Sequence, residues 1–117
     1  MSDDQIDPRV FEEPPPVLPN RRAFFQRLSE TIDTVERFKK MDPAPAAAEF
    51  WDQFLVQLTT MKKWASAEEG PSEHQKELVN VGWLALREFE EDPSPRMQKL
   101  KDDIVAVDEY FRVWPEG

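Results

Sequence analysis

Apolar residues recur three and four positions apart in four stretches of this chain, and proline or glycine fences each stretch from the next. That period places the apolar side chains of a helix on one face, so each stretch predicts an amphipathic helix. The first opens after Asn20, a favourable N-cap, and runs to about Met41 with Phe25, Leu28, Ile32 and Val35 as its stripe, flanked by Phe24 and Phe38. The second opens at or just after Pro45. It carries Phe50/Trp51, Phe54/Leu55, Leu58, Met61 and Ala65, with Gly70 as its C-terminal signal. The third begins at the capping box Ser72-Glu73-His74-Gln75 and runs to about Glu91. The fourth has Ser94 as N-cap and Pro95 at the first helical position. Its seam is Met97, Leu100, Ile104, Val107, Phe111 and Trp114, stopped by Pro115.

Three short breaks separate these helices: Asp42-Pro43-Ala44-Pro45, Gly70-Pro71-Ser72 and Asp92-Pro93-Ser94-Pro95. Short connections favour antiparallel neighbours, so the pattern predicts an all-α fold, an antiparallel up-down-up-down four-helix bundle. The bundle domain occupies residues 21–117. Residues 1–20 form an irregular, Pro-rich, acidic arm with five acids against Arg9, and Pro16-Val17-Leu18-Pro19 matches the loose PxxP pattern. The arm's Val10, Phe11, Val17 and Leu18 are expected to serve a tether. In this topology Lys39 and Lys40 are expected near Glu88, Glu90, Glu91 and Asp92 at one pole. Arg21 and Arg22 are expected near Glu68, Glu69 and Glu73 at the other. No stretch alternates at the period of a strand.

Composition narrows the function. The 117 residues suit one domain, and 39% hydrophobic with 11% aromatic residues is too much apolar surface for a disordered chain. A net charge of −9 disfavours nucleic acid and anionic lipid surfaces, both of which need clustered Lys and Arg, and would attract a basic partner. With no cysteine, thiol catalysis, disulfides and zinc-thiolate sites are excluded. The acidic N-terminus lacks the apolar core of a secretory signal and no apolar run approaches a membrane span, which predicts a soluble, cytoplasmic protein.

Candidate chemistry is sparse. His74 stands alone beside Glu77 in the first turn of the third helix, too few ligands for a metal centre. The pairs Glu49/Asp52, Asp102/Asp103 and Asp108/Glu109 fall mainly opposite the apolar stripes, where carboxylates are solvated and keep ordinary pKa values. Three glycines cannot build a phosphate loop, and no serine sits in a nucleophile motif. The pattern therefore predicts no cofactor and no metal, and leans away from an enzyme.

The third helix is the anomaly. On a wheel of about 100° per residue, Leu78, Val81, Gly82, Ala85 and Phe89 share one face. Val79, Trp83 and Leu86 fall on the flank and Leu84 nearly opposite, so the helix is apolar around most of its circumference. Gly82 inside it points to close backbone approach by a neighbour. These features predict a protein-binding module of adaptor, chaperone or inhibitor type. Its face would be a Trp64, Trp83 and Leu84 edge with the acidic helix end Glu88, Glu90, Glu91 and Asp92, facing a basic protein partner. Two alternatives stand beside it: a small enzyme or ligand carrier with a carboxylate-lined pocket between helices, and a self-assembling homo-oligomer such as a homodimer.

Overall fold

The computed structural model describes residues 18–42 and 44–114. They form α1 (Arg21–Met41), α2 (Pro45–Ala65), α3 (Glu73–Leu78), α4 (Val81–Phe89) and α5 (Pro95–Val113), with no strand among the described residues. The expectations for the PxxP stretch, Val10, Phe11, Val17 and Pro115 lie outside the described residues, apart from Leu18 and Pro19.

The helix starts follow local chemistry. Asn20 Oδ1 accepts the Ala23 N–H at 2.8 Å, and Pro45 occupies the first turn of α2. At α3 both halves of the capping box form: the Gln75 N–H donates to Ser72 Oγ (3.1 Å) and the Ser72 N–H donates to Gln75 Oε1 (2.9 Å). Ser94 holds the expected cap position on α5 but makes no side-chain cap bond; its own N–H donates to Asp92 Oδ1 at 2.8 Å. The turn is thus shaped by the aspartate two residues earlier, a common Asx arrangement. Gly70 lies beyond the end of α2, in the following turn with φ of 76°, and a Cβ there would press on the Trp114 indole. Glycine is required there for its backbone and for its bareness.

The largest departure from the sequence pattern lies in the third helix. It is two helices, α3 and α4, parted at Val79 and Asn80, where the backbone leaves the helical region. The break turns Val79 into the core, where it is buried. Backbone groups taken out of the ladder find partners on other helices, as buried polar groups must. Arg112 Nη2 donates to the Val79 carbonyl (2.9 Å), and the Asn80 N–H donates to Gln57 Oε1 (2.9 Å) while Gln57 Nε2 donates to Asn80 Oδ1 (2.7 Å).

Four helices pack around one core. α1 lies against α2 and α5, and α4 against α5 and α2, which leaves α1 and α4 diagonal. Phe24, Leu28, Phe54, Leu58, Met61, Leu100, Ile104 and Phe111 are fully buried, each worth about 1.5–3 kcal/mol of apolar burial. Two aromatic clusters bracket them. Phe38 and Trp51 meet at 5.4 Å, and Phe89 stacks on Trp51 (5.9 Å) and Phe54 (5.4 Å). Elsewhere Phe24 stacks on Tyr110 (5.1 Å) and meets Trp114 edge-on (5.4 Å). Each of these interhelical contacts joins the late part of one helix to the early part of another. Leu18 is buried with this core, so the packed unit reaches past the expected boundary at residue 20.

The ion pairs at the first pole are made locally. Lys39 Nζ lies 2.7 Å from Asp52 on neighbouring α2, and Glu88 pairs with Arg87 on its own helix at 3.0 Å. Late α1 and late α4 do reach the same end of the bundle, where Trp51 touches both Phe38 and Phe89, but the ion pairs are made with nearer partners. Arg21 places its guanidinium 5.0 Å from the Trp114 ring centroid.

Candidate protein-binding face

The break at Val79 decides what α4 exposes. With Leu78 and Val79 removed from the helix, the inward face of α4 is Val81, Gly82, Leu84, Ala85 and Phe89, all buried. Leu84, expected on the binding edge, is instead a core residue. At about 100° per residue the buried arc runs roughly 160°, from Leu84 to Gly82, so it takes in the flank on which Leu84 lies.

The outward stripe of α4 is Trp83, Leu86, Arg87 and Glu90, spaced i, i+3, i+4 and i+7. Trp83 is 56% exposed and Leu86 40%. The Arg87 guanidinium lies over the Trp83 ring, 4.9 Å from its centroid, and donates through Nε and Nη2 to Glu88 Oε2 at 3.2 and 3.0 Å. Indole, guanidinium and carboxylate thus form one connected surface group. Glu90 and Glu91 are exposed beside it, and Leu78 on α3 is also exposed. Asp92 is committed elsewhere, its carboxylate to the turn and its carbonyl to Gln98 Nε2 (2.7 Å).

Trp64 does not join this stripe. It is partly buried against the core. It lies seven residues along α2 from Gln57, while Trp83 lies three residues along α4 from the Asn80 that Gln57 grips. Since Phe54 meets Phe89 on the other side of that grip, Trp64 and Trp83 run to opposite sides of it along the bundle. Of the sequence candidates, Trp83, Glu88, Glu90 and Glu91 are brought together on the surface; Leu86 and Arg87 complete the group.

One carboxylate breaks the expectation of ordinary solvation. Asp108 on α5 is buried against α4, and Gly82 is the gap it fills, since a Cβ on Gly82 would strike its carboxyl group. The close neighbour that Gly82 implies is therefore Asp108. Burial raises the Asp108 pKa above its ordinary value, while Arg112, whose Nε donates to both carboxylate oxygens at 3.3 Å, and the Gly82 N–H act in the opposite direction. The position beside the N-terminus of α4 also favours a negative charge. This group caps a helix from another helix, and the neighbouring Glu109 carboxylate adds to the upward shift.

An open groove of about 530 Å³ at the α2–α3 turn carries Glu68, Glu69 and Glu73, all exposed, and a smaller one of about 200 Å³ lies beside Leu18. Among the described residues no three His, Asp or Glu side chains are grouped to hold a metal, and His74 is exposed. No helix among them is long and apolar enough to cross a membrane. Comparison with known protein families, curated proteins and solved structures finds no match.

Proposed function

We propose that this chain is a non-enzymatic, acidic protein-binding module acting through the outward stripe of α4. The observation that carries the reading is Trp83: a 56% exposed indole on a helix whose other face is fully used by the core. A half-exposed indole leaves apolar area that a partner can bury, and Trp, Tyr and Arg are enriched among the residues that carry binding energy at interfaces. The partner has an apolar pocket for Trp83 and Leu86, rimmed by basic residues that meet Glu88, Glu90 and Glu91. The net charge of −9 steers such a partner towards the chain. The proposal places this encounter in the cytoplasm.

Affinity capture with wild type beside a Trp83→Ser/Leu86→Ser bait tests it. A partner held by wild type and lost from the variant, whose purified form binds at least tenfold more weakly to the variant and more weakly at high salt, supports the reading. Partners retained equally by both baits refute it. Light scattering on the same two proteins addresses self-assembly: a wild-type dimer that the variant abolishes assigns the stripe to a second copy of this chain.

A further inference from the structure

The charge of this acidic chain is unevenly placed, and one groove reverses it. Between the late half of α1 and the first turns of α5 lies a groove of about 330 Å³ lined by Thr34, Arg37, Phe38, Met41, Arg96, Lys99, Leu100 and Asp103. Its single acid is already engaged: Asp103 meets Arg27 at 3.0 Å and Lys99 at 2.9 Å. Arg37 donates only to the neutral Thr34 Oγ1, at 3.3 Å, and neither Arg37 nor Arg96 has an acidic partner among the described residues. Two guanidinium groups from separate helices therefore face one space without a counter-charge, in a molecule with nine negative charges in excess.

The base of the groove is apolar. Phe38 and Leu100 are buried there, and Met41 is 66% exposed at its edge. Methionine fills irregular space and adapts to a guest. Guanidinium groups recognise planar or tetrahedral oxyanions by paired N–H donation, and an apolar floor rewards the hydrocarbon attached to them. The volume lies at the lower end of the roughly 300–1,000 Å³ that small-ligand sites occupy. A nucleic acid or a membrane would meet the repulsion of the surrounding acids; a small anion enters the groove alone.

We propose that the α1–α5 groove binds a small amphipathic organic anion, its carboxylate or phosphate head between Arg37 and Arg96 and its short apolar body against Phe38, Met41 and Leu100. The groove lies on the α1–α5 seam and shares no lining residue with the α4 stripe.

An NMR titration of the full chain with octanoate tests it, with acetate and octanol as separate arms. Octanoate is expected to shift the amides of Thr34, Phe38, Lys99 and Leu100 saturably, with a dissociation constant near or below about 1 mM. Acetate and octanol should each bind at least tenfold more weakly. Arg37→Gln/Arg96→Gln should lose octanoate at least tenfold while keeping the helical circular dichroism, since both side chains are exposed. Absence of saturable shifts, shifts on other faces, or unchanged affinity in the double variant overturns the site. Acetate or octanol binding as tightly as octanoate overturns the amphipathic class.

Discussion

Asp108 occupies a position where ionisation is costly, walled by α4 and relieved only in part by Arg112 and the Gly82 N–H. Its folded pKa is raised above the ordinary 3.8, so the folded chain binds that proton more tightly than the unfolded chain does. The stabilising effect of protonation is complete below 3.8 and is lost as pH rises through the folded value. Asp108→Asn keeps a polar group against Gly82 and Arg112 and removes the titration. The stability difference between wild type and this variant, measured by urea denaturation, should therefore move against wild type as pH climbs from about 4 and then level off. Parallel pH curves for the two proteins contradict this account of Asp108.

At the scale of elements, the joint between α3 and α4 depends on side chains that arrive from elsewhere. Arg112→Met removes the donor to the Val79 carbonyl and the cation beside Asp108. Breaking a buried pair costs about 3–5 kcal/mol, and because Arg112 is 45% exposed we expect a smaller loss of about 2 kcal/mol. In an Asp108→Asn background the same substitution should cost clearly less, which a four-protein denaturation cycle measures. This joint also marks where the sequence stops being legible. The stripes of α1, α2 and α5 are visible because each helix buries one face at a single period. Asn20, Pro45 and the Ser72/Gln75 box act within a few residues of themselves. The break at Val79 has no such local mark, because Gln57 and Arg112, which make it tolerable, lie 23 and 33 residues away. Leu84 is buried because the inward arc of α4 is wider than a single stripe, and register between helices separates Trp64 from Trp83. The Arg37–Arg96 groove is equally hidden, as its two cations come from helices at opposite ends of the chain.

For the whole molecule, burial separates residues that hold the fold from residues free to act outside it. Phe89 closes the aromatic cluster against Trp51 and Phe54 and is 4% exposed, so Phe89→Ala should cost about 3–5 kcal/mol. Trp83→Ser, six residues earlier on the opposite face, should change stability by no more than about 0.5 kcal/mol. Thermal and urea unfolding of the two variants checks the contrast. A large loss with Trp83→Ser would make the indole a structural residue and remove the basis for its role at a partner surface. The same distribution of burial bears on how the molecule is completed as it is made. α4 spans nine residues, shorter than the roughly 12–15 a helix needs to persist alone in water. Its first rung is tied to Gln57, synthesised before it, and to Arg112, synthesised after it. A growing chain leaving the ribosome therefore cannot finish this helix in passing; the joint is sealed only after Arg112, some thirty residues further on, has emerged.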